Sequence, residues 1–162
     1  LEALNVGHGA SERSGGQILP GLGTDIRTVE NALGRSAARD IWEMSREAVR
    51  LTAHLVEQHQ IPCEMSWGYL HAAVKPRHVV ELRQWQERMA RDFDYHGLEW
   101  REGDALREHV VTDAYPAALW EREAGHLHPL NYTLGLARAA QQAGAILHQF
   151  SPVIDIRHGK QA

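Results

Sequence analysis

One cysteine, Cys63, stands in 162 residues. That excludes a disulfide framework and a zinc site built on four thiolates. No stretch approaches the roughly 18 consecutive apolar residues that a membrane span needs, and no signal-peptide pattern opens the chain, so a cytoplasmic location with no membrane span is expected. Excess positive charge is lacking too: 17 Lys and Arg against 21 Asp and Glu give a net charge of −4, so the clustered cations of a nucleic-acid face are not expected. HExxH, CxxC and GxSxG motifs do not occur. Two Phe make the chain poor in that residue, while hydrophobic residues at 43% and charged ones at 23% are ordinary for a globular domain.

Glycine, by contrast, is concentrated at the start. Gly7, Gly9, Gly15, Gly16, Gly21 and Gly23 fall in the first 23 residues, with Asn5, Ser11 and Ser14 among them. Such a run suits either a partly disordered terminus or a backbone that turns sharply and comes close to a ligand, because glycine has no Cβ to obstruct it. A dinucleotide fingerprint G-x-G-x-x-G begun at Gly7-His8-Gly9 needs glycine at position 12, which is Glu12. No strand-length run precedes it, so that fingerprint is not met.

Helical periodicity follows. Thr24-Asp25 offers N-cap chemistry for a helix over about Ile26–Leu33, closed by Gly34. Ser36 caps a longer helix to about Gln60, stopped by Pro62. On it Ala37, Ile41, Met44, Ala48, Leu51 and Leu55 recur at intervals of three and four, and predict the inward face. Met65–Val74 predicts a strand in which Gly68 marks a bulge or close approach. Pro76 opens a helix with Val79, Leu82, Trp85, Met89 and Phe93 inward, ending near Gly97. One helical turn over Asp104–His109 and a strand over Ala117–Glu123 come next. Pro129 then opens a helix with Leu130, Leu134, Ala137 and Ala140 inward, closed by Gly144. Two short strands are expected near Ala145–His148 and Val153–Arg157. The fold class is mixed α/β, helix-rich with short strands.

Among the 11 histidines, His126 and His128 stand two apart and would share one face of a strand. A metal site needs three or four ligands, and no motif supplies the rest, so no metal is expected. Cys63 has no patterned catalytic partner.

Leu1-Glu2-Ala3 followed by Gly7–Gln17 (GHGASERSGGQ) resembles the second-strand end and flavin loop of the FAD-dependent oxidases of the D-amino-acid oxidase superfamily. The likeness continues through Gln60–Val74 (QIPCEMSWGYLHAAV), similar to the first strand region of the substrate domain. It continues again through Ala124–Ala145 and Ser151-Pro152-Val153. Within the superfamily, SGGQ (Ser14–Gln17) and HLHPLN (His126–Asn131) are most like the gamma-glutamylputrescine oxidase group.

That resemblance implies an internal segment of a larger flavoenzyme, without its N-terminal glycine fingerprint and its C-terminal part. Residues 1–25 would hold the strand end and flavin loop, 26–60 a helical segment, 61–128 part of the substrate-binding domain, and 129–162 the return helix and strands of the FAD-binding domain. It implies a non-covalently held FAD, with Arg13 where some relatives attach flavin through histidine. Glu2 would accept the ribose hydroxyls, and Ser11 and Arg13 would lie at the pyrophosphate. Gly15, Gly16 and Gln17 would run beside the isoalloxazine, and Val153 would meet adenine through its backbone. Tyr69 and His128 would face the amine. The activity implied is hydride transfer from the amine-bearing carbon of a gamma-glutamylputrescine-like or related amine or amino acid to FAD. Glu12 stands where the family has glycine, and a positive φ there would cost about 1 kcal/mol. By itself the segment is expected to be inactive and to self-associate through unpaired strand edges and exposed apolar helix faces. From the residues alone, a small helical interaction module without catalysis is the alternative, resting on the stripe from Ala37 to Leu55.

Overall fold

The computed structural model describes residues 1–157 and 159. In chain order the elements are α1 (Ala10–Arg13), β1 (Gln17–Ile18), α2 (Ile26–Leu33), α3 (Arg35–Gln58), β2 (Ser66–Ala72), α4 (Pro76–Phe93), β3 (Leu98–Glu102), α5 (Asp104–Arg107), β4 (Ala117–His126) and α6 (Pro129–Gln142). This is the mixed helix-and-sheet class that the sequence predicts. The elements belong to two compact units. One comprises residues 1–16, 52–65 and 127 onward; the other comprises residues 17–51 and 66–126.

The second unit is built on β4. Along one edge of β4 runs β2, with Ser66 opposite His126 and Ala72 opposite Ala118. Along the other edge lie β3, with Leu98 opposite Glu121, and the short β1, with Gln17 opposite His126. All pairings are antiparallel. Gly68 breaks the β2 register between Trp67 and Tyr69. Its φ is +102°, and a Cβ there would stand 1.7 Å from the Trp120 ring, so the expected bulge is also a seat for that indole.

Against the sheet pack Val29 of α2, Ala38 and Trp42 of α3, and Met89 and Phe93 of α4, which join Tyr95, Leu98 and Leu119 in one core. Trp42 meets Phe93 and Tyr95 edge-on, with ring centroids 6.1 and 5.1 Å apart. Four of the caps are as read: the Asp25 carboxylate accepts the Arg27 N–H at 2.8 Å, Gly34 ends α2 at φ +84°, and Pro76 and Pro129 open their helices. Ser36, expected to cap α3, lies inside it, since α3 starts at Arg35 directly after Gly34.

Several expectations are corrected. The inward face of α3 is turned by about one residue, roughly 100°. Ala38, Trp42 and Val49 are buried, whereas Met44 and Leu51 are 66% and 56% exposed and Ala48 is exposed. Trp42 decides this, because burying an indole removes more apolar area from water than burying Met44 or Leu51. The α4 helix ends at Phe93, where Asp94 takes the left-handed conformation at φ 49°, well before Gly97. Residues 145–148 and 153–157 form no strand. The segment instead runs beside the chain start through Glu2 N–H to His148 O, Phe150 N–H to Leu4 O, and Ser151 N–H to Glu2 O, at 2.8, 3.0 and 2.8 Å. These bonds follow no regular ladder. His126 ends β4, whereas His128 caps α6, so the two histidines do not share a strand.

Arginines tie the helices together. Asp92, buried on α4, receives Arg91 Nε at 3.0 Å and also pairs with Arg35, while its carbonyl accepts Arg39 Nε at 2.6 Å. Arg88 pairs with Glu30 of α2. The Arg91 guanidinium, with the charges of Arg35 and Arg88 behind it, holds the Asp92 carboxyl below its ordinary value of 3.8. A carboxyl depressed in the folded state contributes stability that is complete above the unfolded value and is lost as pH falls through the folded one. Acid unfolding followed by circular dichroism should therefore steepen below pH 3.8 in the wild type and be flatter in Asp92→Asn. Parallel acid limbs in the two proteins would contradict this linkage.

The first unit holds the loop from Leu1 to Gly16, α1, the end of α3, the turn over residues 59–65, and α6. Gly135 of α6 lies against Ile61, where a Cβ would come within 2.3 Å of Ile61 Cγ2. The carbonyl of buried Cys63 accepts the His128 N–H at 2.6 Å, and Asn131 Nδ2 donates to Pro62 O at 3.1 Å. Burial pushes the Cys63 thiol above its ordinary value, as suits a packing cysteine rather than a nucleophile.

Candidate functional site: the glycine loop and the residues around it

The glycine run is ordered. Gly7 and Gly9 have φ of +90° and +95°, and α1 follows at once. Gly7 faces α6, where a Cβ would meet Leu130 Cδ1 at 2.8 Å; at Gly9 it would meet nothing within 4 Å. The turn at Gly9 is thus open on the side a Cβ would occupy. Glu12 lies inside α1 with helical backbone, so the departure at this position carries no left-handed strain. Its carboxylate bends back to accept the Gly9 N–H at 3.4 Å and sits 3.1 Å from His8 Nδ1. That contact turns the Glu12 charge toward its own loop.

Ser11 is exposed on α1, and Arg13, 67% exposed, lies 3.4 Å from Glu12. Ser14 Oγ accepts the Gly16 N–H at 3.1 Å. Gly15 is exposed, but Gly16 is buried at φ +74°. The Gly16 carbonyl accepts the Leu127 N–H at 3.0 Å. Glu2 is half-buried; its Oε1 accepts the Leu4 N–H at 2.9 Å, and its backbone is held by His148 and Ser151. Val153 is 57% exposed beyond that contact. Within the first unit, then, Glu2, the 148–151 segment, and the Gly7–Gly16 loop against α6 are brought together.

Gln17 and Tyr69 belong to the second unit, whereas His128 belongs to the first, between Leu127 and Pro129 where Gly16 meets the start of α6. Gln17 is exposed in β1. Tyr69 sits on β2 with its ring edge-on to His71, centroids 4.9 Å apart. His128 Nδ1 accepts the Asn131 N–H at 3.3 Å, a helix-capping role. Among the described residues no group of three or more His, Cys, Asp or Glu converges as a metal site would require, and no helix is long and apolar enough to cross a membrane.

Sequence reasoning missed a buried network at the middle of β4. Glu121, 2% exposed, accepts the Tyr95 hydroxyl at 2.8 Å through Oε1, and its Oε2 lies 2.7 Å from His71 Nε2. Burial first, and then the Glu121 charge, raise the Tyr95 hydroxyl well above the ordinary tyrosine range, so it stays a donor. An acidic residue at an inward position of a strand was the available signal.

The open turn at Gly9, the exposed Ser11 hydroxyl and Arg13 guanidinium, and the Glu2 carboxylate are donors and acceptors of the kinds a dinucleotide takes. The model of the family described as FAD dependent oxidoreductase matches residues 1–162, and the chain belongs to this family, whose cofactor is FAD. More particularly, it is 34% identical over 156 residues to a probable oxidoreductase OrdL of Haemophilus influenzae. It is 32% identical over 158 residues to the gamma-glutamylputrescine oxidoreductase of Escherichia coli. These alignments take in 96% and 98% of this chain but 36% and 37% of those proteins, so the chain spans little more than a third of their length. Solved structures share the fold. L-amino acid deaminase from Proteus myxofaciens, solved in complex with anthranilate, superposes with a TM-score of 0.76 at 18% identity, covering 98% of this chain and 34% of that one. Glycine oxidase from Bacillus cereus gives 0.66 at 20%, covering 99% and 41%.

Proposed function

We propose that this chain supplies the flavin loop and part of the substrate sheet of an FAD-dependent oxidase acting on a gamma-glutamylputrescine-like amine or a related amino acid. The observation that carries the reading is the ordered Gly7–Gly16 loop, whose left-handed glycines leave the turn at Gly9 open in front of Ser11 and Arg13. The 32% identity to a gamma-glutamylputrescine oxidoreductase supports the substrate class.

Bound FAD would supply the hydride acceptor. The work of this chain's residues is binding and orientation. The Glu2 carboxylate has an oxygen beyond the one taken by Leu4 N–H and would accept from ribose hydroxyls. Arg13 would place a guanidinium, and Ser11 a hydroxyl, at the pyrophosphate oxygens. Gly15, Gly16 and Gln17 would let the backbone run close to the isoalloxazine, held without a covalent bond, and the Val153 backbone would meet adenine. Tyr69 and His128 would lie toward the amine. Residues 1–25 and 129–162 would serve the cofactor, 61–128 the substrate domain, and 26–60 would connect them.

The 162-residue chain alone should be inactive and retain no FAD, since the glycine fingerprint that seats the pyrophosphate in such folds does not occur in it. Mixed with FAD and passed through gel filtration with light scattering, it should elute colourless and as more than a monomer, through surfaces such as the Met44 and Leu51 face. Flavin co-eluting with protein would refute the first expectation, and a clean monomer the second. For the whole enzyme, anaerobic gamma-glutamylputrescine should bleach the flavin; unchanged absorbance with every amine and amino acid tried would sink the proposed activity.

A further inference from the structure

In the second unit a cleft of about 460 Å³ opens between α3 and the end of the sheet. Arg46, Val49 and Arg50 line it from α3, Arg122 and Glu123 from β4, and Trp67 from β2. Three arginines and one glutamate line it, in a chain whose net charge is −4.

The four charges are not equivalent. Arg46 is held on all sides. Its Nε and Nη2 donate to Glu123 Oε2 at 3.2 and 2.9 Å, and its Nη1 donates to Glu43 Oε1 at 2.9 Å. Its guanidinium carbon lies 5.1 Å from the centre of the buried Tyr95 ring. Burial works against the Arg46 charge, but its bonds to Glu123 and Glu43 more than offset this and leave it firmly protonated. Arg46 and Glu123 therefore form a fixed, mutually neutralised floor. Arg50, one helical turn beyond Arg46, is exposed, and Arg122 comes no nearer to a carboxylate than 3.5 Å, at Glu99. Among the described residues neither donates a side-chain hydrogen bond to a carboxylate. Their donors are what the cleft offers a ligand. Trp67 is 48% exposed beside them, and Val49 is buried behind.

We propose that this cleft binds a carboxylate carried on a planar apolar body, with the carboxylate at Arg50 and Arg122 and the body against the Trp67 indole. A guanidinium presents paired donors that match the two oxygens of a carboxylate. A cationic ligand would face the three arginines, and Glu123 is already spent on Arg46. The exposed indole supplies apolar area and a ring face that a small inorganic anion would not use. The site stands on residues of the second unit alone, so it does not depend on the flavin reading.

The test is calorimetric titration of the 162-residue chain with three probes at low ionic strength. Indole-3-acetate carries both charge and body, acetate the charge alone, and tryptamine the same body with the opposite charge. Indole-3-acetate should bind saturably, with acetate and tryptamine at least about tenfold weaker, since each lacks one of two contacts worth about 1.4 kcal/mol or more. Arg50→Met, an exposed change that leaves Arg46 and the sheet untouched, should weaken indole-3-acetate about tenfold while the far-UV spectrum stays that of the wild type. Trp67→Ala should bring indole-3-acetate down to the level of acetate. The proposal is overturned by an absence of heat at millimolar indole-3-acetate, by tryptamine or acetate binding as tightly, or by undiminished binding in a folded Arg50→Met.

Discussion

Replacing Glu121 with alanine should destabilise the protein by about 3–5 kcal/mol, a large share of the 5–15 kcal/mol that holds a typical domain together. The reason is what the substitution leaves behind. Glu121 sits in β4 at 2% exposure, between the Tyr95 hydroxyl and the His71 ring. Removing the carboxylate deprives a buried phenol of its acceptor and the imidazole Nε2 of its partner, and opens a void among Tyr95, Leu119 and Leu98. The buried phenol left without an acceptor costs about 1–3 kcal/mol, the half-buried imidazole less, and the void adds to this. His71 is pinned further by Trp85 edge-on at 4.8 Å, so it cannot swing out to water without uncovering that indole. Tyr95→Phe removes one bond and keeps the shape, and should cost about 1–2 kcal/mol. Urea unfolding read by tryptophan fluorescence measures both. A Glu121→Ala variant within about 0.5 kcal/mol of wild type would mean that the network contributes nothing beyond an ordinary surface residue.

Gly16→Ala carries the second large effect, about 3 kcal/mol, from strain, overpacking and a lost backbone bond. At φ +74° an L side chain is already strained, and its Cβ would stand 2.0 Å from the Leu127 carbonyl oxygen. That atom is backbone and cannot rotate away. The collision would also push apart the pair in which Gly16 O accepts the Leu127 N–H. Gly9→Ala is the internal control. Its backbone, at φ +95° and ψ −127°, also disfavours an L side chain, but its Cβ would touch nothing within 4 Å, so the cost should be strain alone, about 1–3 kcal/mol and below that at Gly16. Equal losses in the two variants would show that conformation alone, and not the approach of Leu127, demands glycine at position 16. The resemblance to flavin loops assigns this glycine a place beside the isoalloxazine; packing against Leu127 is a separate and sufficient reason for it.

The glycine loop was legible as a string of residues before its shape was known. Its glycines read either as a partly disordered terminus or as sharp turns, because backbone conformation, a local property, is what makes glycine worth its entropy. What the string did not reveal was that Glu12, where the resemblance leads one to expect glycine, would lie in a helical turn and fold its carboxylate back on Gly9. Nor did it reveal the Glu121 network or the arginine cleft. Tyr95, Glu121 and His71 are separated by 26 and 50 residues in the chain, and Arg46 and Glu123 by 77, so no spacing rule links them.

Local chemistry in the sequence alone determined where most elements start and stop. Asp25 caps α2, Gly34 ends it, and Pro76 and Pro129 sit where a missing N–H costs nothing. The bulge at Gly68 and the family itself were equally readable. Tertiary structure decided which face of α3 turns inward, because Trp42 found a pocket among Phe93 and Tyr95 that periodicity could not foresee. It also made a strand of Leu98–Glu102 by supplying the edge of β4, and left residues 145–148 and 153–157 without a regular ladder. A strand exists by virtue of its neighbour, and a helix face by virtue of what it is pressed against; both are set by residues distant in the chain.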